Sequence, residues 1–149
     1  MSNKNGPILL VEDNDNDVIF MQRALKNAEL LNPLHIANDG EQAIDYLTGK
    51  GEFSDRIKFP LPILIFLDLK LPTKSGLEVL SWLRDTQQFK TIVVLVLTTS
   101  NEPKDIDRAL KLGANAYLVK PSIFSELTEM MKATKAFWLN FNHFSEQPH

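Results

Sequence analysis

The chain is 149 residues long, 44% hydrophobic and 23% charged, with a formal net charge of −3. That length suits one domain with a real core, and the mild acidity leaves no basic footprint for nucleic acid and no polybasic membrane anchor. There is no cysteine, which excludes disulfides, thiolate metal sites and cysteine nucleophiles.

Ile8-Leu9-Leu10-Val11 reads as a buried strand ending in two acids, Glu12 and Asp13. Asn14-Asp15-Asn16-Asp17 is rich in helix-capping residues. Val18, Met21, Ala24, Leu25 and Ala28 then recur at helical spacing, predicting a helix from about Asn16 to Leu30 that Asn32-Pro33 ends. Leu34 to Ala37 is a short strand. Asn38-Asp39-Gly40 caps a second helix marked by Ala43, Ile44 and Leu47 and stopped at Gly49. The stretch from Gly49 to Pro62 is longer than the ~2–6 residues usual for such a connection. It reads either as a packed surface loop or as a specificity loop for a partner. Ile63 to Leu67 is an unbroken apolar run into Asp68, as expected of a central strand buried on both faces of a parallel sheet. Ser75-Gly76-Leu77-Glu78 opens a third helix carrying Leu80, Trp82 and Leu83. Thr91 to Leu97 is a fourth strand and runs into Thr98, Thr99 and Ser100. Asn101-Glu102-Pro103 starts a fourth helix, closed by Gly113. Ala116 to Val119 is a fifth strand, followed by Lys120-Pro121, and the last helix runs from about Ile123 to Asn140. Strands alternating with helices predict an α/β, doubly wound parallel sheet of five strands and five helices.

Chemistry falls at four strand ends: Glu12-Asp13, Asp68, Thr98 and Lys120. In a parallel sheet these ends share one edge, where ligands bind in folds of this class. Three converging carboxylates repel, and one is driven to protonate unless a cation joins them. Oxygen donors without Cys or His favour Mg²⁺. An ionised Asp68 at the mouth of such a pocket can take a phosphoryl group as an acyl phosphate. A metal ion, a lysine and a hydroxyl can then hold the phosphoryl oxygens.

These motifs (the pair Glu12-Asp13, Asp68 followed by Leu71-Pro72 and Gly76, Thr98, and Lys120-Pro121) resemble the receiver domain of two-component response regulators from Ile8 to about Phe137. The interval from Thr98 to Lys120 is also the family's interval between its hydroxyl and its lysine. The resemblance implies a flavodoxin-like sheet of order 2-1-3-4-5 with Asp68 as phosphoacceptor. It implies Mg²⁺ on Glu12, Asp13, Asp68 and the backbone carbonyl of Lys70, and phosphoryl contacts from Thr98 and Lys120. Tyr117 is implied as the aromatic that turns inward with Thr98 on activation, against a reading as plain core packing. Glu12 stands where Asp is commonest, and Leu71 and Ser75 replace the common Met and Asp; none of these removes a group the reaction needs. The Ile-Leu-Leu-Val-Glu-Asp start, the long loop before the third strand and Leu97-Thr98-Thr99-Ser100 are most similar to the small response regulators partnered with cyanobacterial phytochrome histidine kinases. The expectation is a signalling protein rather than an enzyme, phosphorylated by a sensor histidine kinase of phytochrome type. It would catalyse only its own phosphorylation and dephosphorylation. A single receiver domain is expected over residues 1–149, with its core at about 7–140 and no output domain, so that the signal leaves by protein–protein contact.

Competing readings fit less well. A haloacid-dehalogenase-type phosphatase wants a second Asp two residues after the nucleophile, where this chain has Lys70. A flavin carrier needs a phosphate loop after the first strand, where Glu12-Asp13-Asn14-Asp15 would repel it. An EF-hand calcium loop beginning at Asp13 would need Gly and Glu where Val18 and Ala24 stand. A receiver acting only as a metal-free interaction module should have lost Asp68, Lys120 or the acidic pair, and none is missing. His35, His143 and His149 read as surface residues; Trp82 and Trp138 read as core. Leu127, Met130, Met131, Thr134, Phe137, Trp138 and Phe141 make a stripe wider than one core-facing helix needs. That predicts a homodimer using the last helix, with Met130, Phe137, Trp138 and Phe141 on the partner face. The polar start, Met1 to Gly6, does not resemble a signal peptide, and no apolar run approaches the ~18 residues of a membrane span. A cytoplasmic location is expected.

Overall fold

In the computed structural model, which describes residues 4–145, the five apolar runs form one parallel sheet of order β2-β1-β3-β4-β5. The strands are β1 (Ile8–Val11), β2 (Leu34–Ala37), β3 (Leu64–Leu67), β4 (Val93–Thr98) and β5 (Ala116–Val119). Every residue of β1, β3 and β4 is buried. This explains why those strands read as continuous rather than alternating runs: both of their faces are covered by helices. On one face Ile8, Leu10, Leu64, Phe66, Leu95 and Leu97 meet Met21, Leu25, Leu127 and Met131. On the other, Leu9, Val11, Ile65, Leu67 and Val94 meet Ala43, Leu47, Val79, Leu80 and Leu83.

Five helices supply those layers: α1 (Asp15–Asn27), α2 (Gly40–Thr48), α3 (Gly76–Asp85), α4 (Pro103–Lys111) and α5 (Phe124–Thr134). Their starts follow local chemistry. Asn14 and Asp39 accept hydrogen bonds from Asp17 N and Gln42 N, and Ser75 and Glu78 form a reciprocal capping box. α1 stops three residues short of the expected Leu30. Glu29 turns left-handed at φ 57°, and Leu30 N donates back to Leu25 O at 2.9 Å. Leu30 is therefore buried without being helical. β4 begins at Val93 rather than Thr91, because Ile92 N closes a turn onto Phe89 O at 3.1 Å.

The largest departure is at the other end. The last helix is not one α-helix to Asn140; after Thr134 it continues as a π-helix over Lys135–Phe141. Wider winding breaks the 3.6-residue phase on which the apolar stripe was read. Leu139, outside that stripe, is buried, and Trp138 and Phe144 pack against the core. Met130 also packs against the core, whereas Phe137 and Phe141 are 59% and 76% exposed.

The 49–62 connection is a packed loop. It contains a 3-10 turn at Gly51–Phe53. Phe53 and Phe59 stack edge to face at 5.2 Å and gather around Tyr46. Tyr46 donates its hydroxyl to Pro60 O at 2.8 Å. The Arg56 guanidinium holds the carbonyls of Tyr46, Leu47 and Phe53, satisfying the end of α2. Ile57, a large apolar side chain in this loop, is 95% exposed. His35 is not a surface residue as expected. It lies half-buried against the rings of Tyr46 and Phe59 at 5.6 and 5.5 Å. His143 is exposed, and His149 lies outside the described residues.

Candidate phosphoryl-accepting site

The carboxyl ends of β1, β3, β4 and β5 bring their terminal side chains into one cleft, as parallel register requires. Asp68, one residue past β3, is buried. Its Oδ1 accepts from Thr98 Oγ1 at 2.9 Å and from Lys70 N at 3.3 Å. Its Oδ2 accepts from Lys120 Nζ at 3.0 Å. The same ammonium donates to Glu12 Oε1 and, at 3.2 Å, to Asp17 Oδ2. Glu12 Oε2 accepts from Asn14 N at 3.1 Å. Thr98 is fully buried, and Asp68 is the acceptor its hydroxyl faces.

Backbone requirements shape the rim. A Cβ at position 76 would lie 2.1 Å from the Asp68 carbonyl oxygen. Only glycine lets α3 start this close to the acceptor loop. Gly76 N in turn donates to Leu69 O at 2.8 Å. Thr73 takes φ 64° in that loop, and its Oγ1 accepts from Glu41 N at 3.1 Å, tying the loop to the first turn of α2.

Glu12, Asp13 and Asp68 each offer an oxygen, and these oxygens all lie within 4.8 Å of one another. Glu12 is buried, Asp13 exposed. Burial pushes the Glu12 carboxyl above its ordinary value and the charge of Asp68 adds to this, against the hydrogen bond from Lys120. Burial pulls Lys120 down, but its bond to Glu12 and the charges of Asp68 and Glu12 outweigh that, so it remains an ammonium. One ammonium therefore leaves the carboxylates short of positive charge. An oxygen-only donor set of this size, open on the Asp13 side, suits a hard divalent cation.

All the residues named from the sequence as chemical are thus brought together: Glu12, Asp13, Asp68, Thr98, Lys120 and the backbone at Lys70. Asp17 was read only as a capping acid; its contact with Lys120 spans 103 positions and has no local signal. Tyr117 is half-buried and donates its hydroxyl to Ser100 O at 2.9 Å. Burial, opposed by that hydrogen bond, raises its phenol above the ordinary value. Ser100 Oγ reaches Asp105 Oδ2 at 2.6 Å, which pins the start of α4 to the same loop.

Residues 8–132 match the response regulator receiver domain family. The chain is 38% identical to the response regulator Rcp1 of Synechocystis over 142 residues, 93% of this chain and 95% of that one. It is 36% identical to the probable methanogenesis regulatory protein FilR2 of Methanothrix harundinacea, covering 91% and 84%. Among solved structures, it is similar to the Mn²⁺-bound form of Rcp1, with TM-score 0.83, 37% identity and coverage of 93% and 98%. It is also similar to the phosphorylated cyanobacterial phytochrome response regulator RcpA, with TM-score 0.86, 36% identity and coverage of 94% and 98%.

Proposed function

From the premise that the chain belongs to the response regulator receiver family, we propose that it takes a phosphoryl group from a sensor histidine kinase of phytochrome type onto Asp68. The observation that carries this reading is the ring of contacts on one buried carboxylate: Thr98 and Lys70 N on Oδ1, Lys120 on Oδ2. An Asp68 oxygen attacks phosphorus as the bond from phosphorus to the donor histidine nitrogen breaks, and the imidazole departs. Lys120 and Thr98 are already placed to follow the negative charge onto the phosphoryl oxygens. Mg²⁺, on Glu12, Asp13, Asp68 and the Lys70 carbonyl, supplies charge neutralisation and orientation when bound. The chain promotes its own phosphorylation and dephosphorylation and turns over no other substrate.

We assign the switch to Thr98 and Tyr117. If Thr98 is drawn toward the phosphoryl group, the space it leaves admits the Tyr117 ring. The hydroxyl then parts from Ser100 O, loosening the start of α4. Phe20, exposed and lining the cleft with Lys120, gives the kinase an apolar landing. The exposed Phe137 and Phe141 supply the core of a homodimer contact, with Trp138 in edge contact with the Phe137 ring and Met130 packed on the core. The cytoplasm is the compartment this reading assigns; among the described residues no helix is long and apolar enough to cross a membrane.

Phosphotransfer profiling tests the reading. Labelled phytochrome-type kinases should pass phosphate to the wild type within seconds to minutes and not to Asp68→Asn. Transfer to both proteins alike would refute Asp68 as the acceptor. Rapid transfer only from kinases of other classes would refute the partner.

A further inference from the structure

We infer that Asp17 is a positioning residue for Lys120 in the phosphorylation that the preceding reading assigns to Asp68, and that it keeps the ammonium in place once a metal ion is bound. The inference rests on that reading. Lys120 Nζ has three protons to donate and finds three carboxylates: Glu12, Asp17 and Asp68. Two of them, Glu12 and Asp68, are also in the cluster suited to a divalent cation; Asp17 is not. When a cation occupies the cluster, it competes with the ammonium for Glu12 and Asp68 and repels it across a short distance. Asp17 is the one acceptor of Lys120 that the metal leaves alone.

The surroundings make that anchor matter. The Lys120 side chain is 13% exposed against 43% for Asp17. The two share a small cleft walled by Leu10, Phe20, Met21 and Leu97, with a cavity of about 30 Å³. Without Asp17 the ammonium keeps only the two carboxylates, Glu12 and Asp68, that it would share with the metal ion. Asp17 lies in the first turn of α1, where Asn14 accepts from its backbone N–H at 3.0 Å. Its carboxylate is therefore held by a capped helix end rather than by a loop.

The test is the rate of acyl phosphate formation with acetyl phosphate, followed by intact mass across a Mg²⁺ titration. Asp17→Asn should slow labelling about tenfold at saturating Mg²⁺, with a much smaller change in the half-saturating Mg²⁺ concentration. Asp17→Glu, which keeps the charge, should regain most of the rate. Asp15→Asn removes an acid from the same helical turn that does not touch Lys120, and it should label like the wild type. The inference is overturned if Asp17→Asn labels at the wild-type rate or if added Mg²⁺ restores its rate. An equal slowing in Asp15→Asn, or a Glu variant as slow as the Asn one, also overturns it. A wild type that takes no phosphoryl group at all would instead bring down the functional reading beneath it.

Discussion

At the scale of single residues, the site depends on a few positions where no other side chain fits. Gly76→Ala puts a methyl group 2.1 Å from the Asp68 carbonyl oxygen. The variant should lose about 2 kcal/mol or more of stability in urea titration, and its labelling should fall because the acceptor loop must move. His35 gives a pH signature away from the site. Burial among Tyr46 and Phe59 holds its imidazole below the ordinary value of 6.5. Below about pH 6.5 the unfolded chain therefore binds a proton that the folded chain resists. Stability should fall as pH drops through that value and level off once the folded imidazole is also protonated. Denaturant midpoints at pH 7.5 and 5.5 should differ more for the wild type than for His35→Gln. Equal differences would mean that His35 is not the group responsible. The sequence announced the five chemical residues, because strand ends in a parallel sheet must share an edge. It did not announce His35 or Asp17, whose environments are made by residues far away in the chain.

At the scale of elements, the legible features were those with local causes. Buried strands declared themselves by unbroken apolar runs, and α2 and α3 by their caps. The end of α1 was misplaced because Leu30 is apolar in phase yet sits past a left-handed turn. The π-helical segment over Lys135–Phe141 left no signal, because a 3.6-residue apolar spacing carries only the α-helical angle. The long loop before β3 was readable as an anomaly, but its packing depends on Arg56 reaching three carbonyls. Arg56→Ala should cost about 2 kcal/mol or more and open residues 50–62 to limited proteolysis. An unchanged cleavage pattern would show that the aromatic cluster alone holds the loop. In the switch, Thr98→Ala should still accept phosphate yet lose the phosphorylation-dependent change in partner affinity. A normal response would exclude the Thr98–Tyr117 route.

At the scale of the whole molecule, the strand order and the convergence of the site follow from the alternation of strands and helices, and both were expected. The assembly is a separate matter. Of the stripe on the last helix, only Phe137 and Phe141 remain on the surface, so the proposed dimer contact is narrower than the sequence implied. Sedimentation at micromolar concentration should give a dimer that Phe137→Ala weakens. A monomer indifferent to that substitution and to phosphorylation would leave the two aromatics as a docking point for another protein. The central claim, that a buried carboxylate held by Thr98, Lys70 N and Lys120 is a metal-dependent phosphoryl acceptor, is tested most directly by intact mass after incubation with acetyl phosphate. The wild type should gain one phosphoryl group with Mg²⁺ and none with EDTA, and Asp68→Asn should gain none in either. Equal labelling without divalent metal, or in Asp68→Asn, would contradict it.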